Sequence, residues 1–599
     1  MNTTKKFITK LYHNILFIIK NTKVLFAISL LFYILSGMIP YVHVTALSTI
    51  ITEGDKIICN NAAVMDTSII YGIIMLAIAI LMDRLLLLGQ MPLASVLSYQ
   101  IKTKVDCLIV EKTSKLSYEY VESSAFQTKL KAVYKFANQL PNLYKTALQI
   151  LKSVIIMTSL MIGFQGSFYL AFIIMVGCLP QFLLSYKIRK KQHELDLQVT
   201  SDQRLQEYYK ELLTKSQSVK ERHLFGLKGL FTTRWENISY DIHKKYALFR
   251  YKSLRLNFLG DISNIAGYMI ALVLLLLTPS IDGAGFLSLS VALTAIQNGV
   301  NAFIGDCIAI RGQVLDDDVV YDFLEEHEDI QHPCDLKEPI TSFTFDHVSF
   351  TYKGSSIRAL DDVNVTLNAG ETIVIVGENG AGKTTFIKML LGLYPCQGGK
   401  VLCNHQSVDT LNRNTYFKRI STIFQHYNKY PFTIAQNIKM TLGEEAKPTE
   451  DMISCAKEAG IHDWVSSLPK GYNTLLTHLR PKGIEVSGGQ WQKIAIARGQ
   501  TKPADVFIMD EPTASLDPLM EAEIMNKFMN MDSRSIKIIV SHRVGMATKA
   551  DKIIVFEKGK LVEVGRHKDL IQNKGVYAQL YESQAKWYTS YSSKEGESS

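Results

Sequence analysis

"ETIVIVGENGAGKTTFIKMLLGL", Glu371–Leu393, decides the fold of the second half of this 599-residue chain. The apolar, β-branched run Thr372–Val376 reads as a buried strand. It leads into Gly377-Glu378-Asn379-Gly380-Ala381-Gly382-Lys383-Thr384, and a helix follows. This is a phosphate-binding loop in the strand–loop–helix setting it requires. The glycines let backbone N–H groups wrap phosphate oxygens, and the helix N-terminus adds a favourable dipole. Lys383 supplies charge for the β- and γ-phosphates, and Thr384 offers Mg2+ a hydroxyl.

Working outward, "DVFIMDEPTASLD" (505–517) is an apolar strand ending in Asp510-Glu511. Near such a loop, Asp510 suits the Mg2+ shell and Glu511 suits a general base that polarises water. Gln425 in "STIFQHY" and His542 in "IIVSHR" each follow a short strand. Tyr352 in "FTYKG" precedes the loop by 25 residues and offers a ring for stacking. A lone strand-end histidine is usually an ordinary structural residue; here the order along the chain carries the weight. Ser487-Gly488-Gly489-Gln490, inside "GIEVSGGQWQKIAIARG" (483–499), is a second phosphate grip about a hundred residues from the first.

The first half differs. The chain is 47% hydrophobic with a mean hydropathy of +0.08, and its long apolar runs lie before about residue 311. A spanning helix takes roughly 20 apolar residues. Six candidates fit: 24–46, 68–90, 146–164, 167–187, 256–278 and 285–311. Short loops such as "FQGS" (164–167) and "PSIDGAG" (279–285) join two pairs of them. Lys5, Lys6, Lys10, Lys20 and Lys23 precede the first span, and few basic residues lie in the short loops, so the N-terminus is expected inside. Residues 1–23 read as a basic amphipathic segment on the inner membrane face. Two long cytoplasmic loops, 91–145 and 188–255, read as helical. Their spans are expected to continue as helices beyond the bilayer, turning near Tyr118–Gln127 and Lys220–Gly229 and packing on a cytosolic partner. Asp83, Arg84, Asp261 and Asp306 fall within spans, where ionisable residues are costly. The net charge of +9 is explained by cytoplasmic loops, so no nucleic acid partner is expected. The eight cysteines show no CxxC or metal spacing.

The order aromatic, P-loop, Gln, SGGQ, Asp-Glu, His resembles that of the ATP-binding cassette family, in the fused form typical of exporters. The resemblance implies an α-helical six-span transmembrane domain (24–315), a linker (316–340), an α/β P-loop NTPase cassette (341–580) and a polar tail (581–599). It implies ATP and Mg2+ as cofactors. Tyr352 is then the adenine-stacking residue and Gly377–Thr385, including Lys383, Thr384 and Thr385, the Walker A loop. Gln425 is the Q-loop residue, Ser487–Gln490 the signature, Asp510 and Glu511 the Walker B pair, Asp517 the D-loop aspartate and His542 the switch histidine. In this family the signature closes over ATP held by a second cassette. A homodimer with two ATPs sandwiched head to tail is therefore expected, a heterodimer with a second half-transporter being the alternative.

The sequence departs from the family at Val486, which replaces the usual Leu, and at "THLRPKGIEVSGGQ" (477–490), which lacks a TxVGERG-like stretch. Trp491, "KERHLFGLKGLFTTRW" (220–235) and "YEYVESSAFQTKL" (118–130) resemble lantibiotic and bacteriocin exporters of the nisin and subtilin type. They imply a modified-peptide cargo and multi-pass residence in the cell membrane. Peptide-modifying enzymes are possible partners, and with no room before the first span for a Cys–His protease domain, a separate leader protease is expected. Lipids, lipid-linked sugars and hydrophobic drugs are the rival cargoes, and a non-transporting membrane ATPase that regulates a partner is the rival of another class.

Overall fold

The computed structural model describes residues 2–60, 67–163, 168–278, 283–316, 318–326, 328, 334–440, 448–477, 483–511, 518–529 and 534–592. The chain divides into two compact units, Met1–Leu116 with Ser123–His327, and Ser117–Glu122 with Glu328–Ser599. The joining loops at 164–167 and 279–282, and Asp517, lie outside the described residues.

The first unit is helical. An amphipathic helix, Asn2–Asn21, precedes six long helices: Lys23–Asn60, Thr67–Ser114, Leu140–Gly163, Phe168–Thr214, Lys228–Leu276 and Gly283–Asp316. Among the described residues, six helical stretches are long and apolar enough to cross a membrane. The fifth helix has 49 residues. At 1.5 Å per residue it reaches ~74 Å, more than twice the ~30 Å of a hydrocarbon core. Thr67–Ser114, Phe168–Thr214 and Lys228–Leu276, at 47 to 49 residues, are each far longer than a hydrocarbon core is thick, as the charge-laced loops predict. The expected turns are also present, as the short helices Tyr118–Glu122 and Ser216–Leu224.

Along the apolar stretches of this unit, many large hydrophobic side chains are exposed. Leu88 is 67% exposed, Phe172 61% and Phe258 65%. Lipid tails are the solvent such a surface needs. Inside, Leu170, Ile174, Leu293 and Ile296 belong to a buried apolar core. The fourth and fifth helices approach backbone to backbone: a Cβ added at Gly177 or Gly267 would lie 2.9 Å from the other's Cα. Beside that crossing, Asn264 donates to Gln181 Oε1 (3.0 Å) and Asn301 Oδ1 (2.8 Å), and accepts from Gln297 Nε2 (3.1 Å). Gln181 in turn donates to Asp261 (3.0 Å), so this span aspartate has a partner. Small residues for close approach, with amides as cross-helix ties, are how helices associate without a hydrophobic drive.

The second unit is α/β. An antiparallel sheet in the order β2-β1-β4-β5 uses β1 (Ser342–Phe350), β2 (Leu360–Asn368), β4 (Gly398–Cys403) and β5 (Gln406–Ser407). The larger sheet, β10-β9-β3-β8-β7-β6, uses β3 (Thr372–Gly377), β6 (Ile420–Ile423), β7 (Val506–Asp510), β8 (Ile536–Val540), β9 (Lys552–Glu557) and β10 (Lys560–Gly565). Strands β6, β7, β8, β3 and β9 are mutually parallel. Every residue of β3, β7 and β8 is buried, the pattern of strands covered on both faces. A final helix, Val576–Ser592, runs past residue 580, where the sequence reading begins a polar tail.

Replacing Gly267 by Val forces the fourth and fifth helices apart. Overpacking of this kind costs about 1–3 kcal/mol. Thermal melting in detergent should show a lower Tm for Gly267→Val, but no loss for Gly305→Ala, whose Cβ would meet nothing within 4 Å.

Candidate functional site

The parallel strands of the larger sheet end on one edge, and the site is built from the loops that leave them. Strand β3 delivers Gly377. A Cβ there would sit 2.3 Å from the Phe556 carbonyl oxygen, and one at Gly382 would sit 2.6 Å from that of Ala359. With Gly380 at φ +79 and Gly382 at φ +106, only glycine gives this loop its curvature. The helix Lys383–Leu390 starts directly after it. Lys383 curls back so that Nζ donates to the carbonyls of Gly377 and Glu378, both at 2.8 Å. Burial lowers its pKa, against the pull of Glu511 and Asp510.

Strand β7 delivers the two acids. Asp510 is only 3% exposed, and its Oδ1 has no hydrogen-bond partner among the described residues. Burial, reinforced by the Glu511 charge, pushes its carboxyl up to about 6, with Lys383 pulling the other way. Glu511 adopts φ +47, a left-handed conformation that a non-glycine residue holds only under constraint. Its N–H is fixed on the Val540 carbonyl at 3.0 Å. This turn aims its carboxylate at two donors: Gln425 Nε2 reaches Oε2 at 2.7 Å, and His542 Nε2 reaches Oε1. On the other side of the ring, His542 Nδ1 faces Lys383 Nζ at 3.4 Å. An ammonium has no lone pair, so Nδ1 is the acceptor and Nε2 carries the proton to Glu511.

Lys383, Gln425, Glu511 and His542 line one cavity of about 380 Å³, with Tyr352, Ala359 and the rest of Asn379–Thr385 on its walls. Tyr352 stands edge-on to Phe350 and Tyr394, and its hydroxyl is 3.1 Å from Thr385 Oγ1. A larger cavity of about 630 Å³, walled by Leu391, Phe417, Phe424, Met440 and Arg498 among others, contains none of these groups. Sequence reasoning missed two features. Ala359 lines the nucleotide-sized cavity, and an alanine between two strands carries no signal. Glu122, from the short helix Tyr118–Glu122, accepts hydrogen bonds from Lys388 Nζ (3.0 Å) and Tyr394 OH, just behind Tyr352.

The signature is elsewhere. Ser487 and Gly488 are exposed and are not on the cavity wall. Ser487 caps the helix Gly488–Gln500 in a reciprocal box: its Oγ accepts from Gln490 N (3.2 Å), and its own N–H donates to Gln490 Oε1 (2.9 Å). Gly489 sits in the first turn of that helix, and Trp491, just beyond, is buried in the core. Of the predicted set, the fold thus gathers Tyr352, the P-loop, Gln425, Asp510, Glu511 and His542, and leaves Ser487–Gln490 apart.

The unpaired Asp510 oxygen is an acceptor suited to a cation. Among the described residues no three His, Cys, Asp or Glu gather into a metal cage. One carboxylate, the Thr384 hydroxyl, the Gln425 amide and phosphate oxygens are the sparse oxygen set that Mg2+ accepts.

A family model for ABC transporters matches residues 360–514. The subtilin transport ATP-binding protein SpaT of Bacillus subtilis is 30% identical over 497 residues, covering 80% of each chain. The chain belongs to the ABC transporter family. As an ABC exporter it binds ATP and couples ATP hydrolysis to transport. The nisin transport ATP-binding protein NisT of Lactococcus lactis subsp. lactis is 29% identical over 430 residues, covering 70% of this chain and 72% of its own. An ATP-dependent lipid A-core flippase of Acinetobacter baylyi matches at 32% over 263 residues, 44% of this ABC transporter and 45% of its own length. A solved bacterial Atm1-family ABC exporter with ATP bound shares the fold, with a TM-score of 0.75 at 20% identity, covering 94% of this chain and 99% of that one.

The Asp510 carboxyl gives the ABC transporter a pH signature. Its folded pKa lies above the ordinary 3.8, so its stability contribution is present below that value and lost as pH rises through about 6. The loss at pH 7.5 is at most about 3 kcal/mol. Asp510→Asn should therefore raise the Tm of the nucleotide-free protein at pH 7.5, and the gain should shrink by roughly half at pH 5. An unchanged gain across this range contradicts the assignment.

Proposed function

We propose that two copies of this chain form an exporter that carries a ribosomally made, modified peptide of the lantibiotic class out of the cell. The observation that carries the cargo reading is coverage. The match to the subtilin transport protein spans 80% of both chains, whereas the match to the lipid flippase spans less than half of either. Cassettes are alike whatever is transported, so likeness extending well beyond one cassette's length bears on cargo where likeness of cassettes does not.

In this reading the N-terminus and cassette face the cytoplasm of a multi-pass cell-membrane protein. Each cassette binds ATP with Tyr352 against the adenine and the Gly377–Thr385 loop around the phosphates. Thr384, Asp510 and Gln425 would hold Mg2+, which would supply charge neutralisation at the β- and γ-phosphates. Lys383 exchanges its two carbonyl partners for phosphate oxygens. Glu511, oriented by Gln425 and His542, accepts a proton from the attacking water. Because the signature stands apart from its own chain's cavity, a second chain's Ser487–Gln490 and Asp517 complete each site. ATP binding draws the cassettes together and opens the cavity outward, and hydrolysis resets it. Modifying enzymes and a separate leader protease are the further partners this cargo calls for.

Removing a general base typically costs 10²–10⁴-fold. Glu511→Gln should bind ATP normally but hydrolyse it at least ~100-fold more slowly. Mass spectrometry of cells and medium then tests the cargo. In a producer strain with this variant, a peptide that disappears from the medium and accumulates inside with its leader attached is the expected result. An unchanged peptide profile refutes peptide export and favours a lipid or drug cargo.

A further inference from the structure

The switch loop that carries His542 is held from outside the sheet. Strand β8 ends at Val540, and Ser541 N–H is fixed on the Ile375 carbonyl at 3.2 Å. Ser541 Oγ accepts from Arg543 N–H at 2.9 Å, which folds the chain into a tight turn around His542. The next two bonds come from one side chain. Gln584 Nε2 donates to the His542 carbonyl at 2.6 Å, and Gln584 Oε1 accepts from Val544 N–H at 2.9 Å. A single amide thus ties both sides of Arg543 and fixes the backbone from which the imidazole extends.

Gln584 has a rigid base. It lies on the last helix, Val576–Ser592, seven residues after Tyr577 and so on the same face. Tyr577 is fully buried, its hydroxyl is 2.7 Å from His567 Nδ1, and Leu580 and Tyr581 pack on the same core. The helix start is clamped as well: Glu563 of β10 accepts from Val576 N–H (2.8 Å) and Tyr577 N–H (3.1 Å). The connection runs from the sheet edge through a helix to the ring that touches Glu511.

We propose that Gln584 is a positioning residue for ATP hydrolysis, holding the His542 loop so that the imidazole keeps its place between Glu511 and Lys383. The proposal rests on the role given to His542 above. It predicts an effect on the chemical step and not on ATP binding, because Gln584 does not itself line the nucleotide cavity and reaches it only through the His542 backbone.

The test is steady-state ATP hydrolysis by the full-length protein in lipid nanodiscs. Gln584→Met keeps the side-chain length and removes both hydrogen bonds. We expect kcat to fall roughly tenfold, with KM for ATP within about twofold of wild type and Tm unchanged. Glu582→Ala, an exposed neighbour on the same helix, should behave as wild type. In a His542→Ala background, Gln584→Met should change the residual single-turnover rate by less than about twofold, since the group it positions is gone. An unchanged kcat in Gln584→Met overturns the proposal, as does a loss that tracks Tm or repeats in full without His542. Loss of hydrolysis in His542→Ala but not in Gln584→Met overturns this proposal alone. Wild-type hydrolysis in His542→Ala overturns the reading of the site along with it.

Discussion

The Glu511 carboxylate is the point on which the nucleotide site converges. A parallel sheet leaves the carboxyl ends of β3, β8 and β7 side by side, and each contributes one participant: the P-loop lysine, the histidine and the Asp-Glu pair. Two donors, Gln425 and His542, share the carboxylate, and Lys383 holds the far nitrogen of the imidazole. This chain of donors and acceptors has one consistent proton arrangement. Donors fixed around a carboxylate in this way are the preorganisation that electrostatic catalysis requires.

The cassette was largely legible in the sequence because its chemistry is local. A P-loop needs glycines at fixed spacing, and an Asp-Glu pair ending an apolar strand announces itself. The gathering of Gln425 and His542 around Glu511 was legible only through their order along the chain, since neither lies in a pattern of its own. Gln584 was not legible. It sits where composition turns polar, and its only signal is that Tyr577, Leu580 and Tyr581 form a stripe that a residue at 584 extends. Glu122 was legible as part of a helical turn, but not as the acceptor for Lys388 and Tyr394, because that pairing joins residues more than two hundred positions apart.

In the helical unit, hydropathy indicated the six long apolar helices found among the described residues, and the charge-laced loops indicated how far they extend. It did not indicate how they pack. Gly177 and Gly267 look like ordinary span residues until their backbones meet. Asn264 reads as a polar interruption, yet it is the centre of a network joining three helices through Gln181, Asn301 and Gln297. Among the span charges, Asp261 is bound into this network through Gln181. Such ties depend on which faces oppose one another, which a period along one helix does not encode.

In the proposed dimer, the exposed, self-capped Ser487 of one copy completes the cavity of the other, and the rest of the proposal depends on this sharing of sites. The direct measurement mixes two inactive variants, Lys383→Ala, which loses the phosphate lysine, and Ser487→Arg, which blocks the signature. If sites are shared between chains, each variant alone is inactive, and co-expression restores ATP hydrolysis, because the mixed dimer has one site free of both lesions. If the mixture stays as inactive as its parts while the two proteins are shown to associate, each chain works alone and the shared site is wrong.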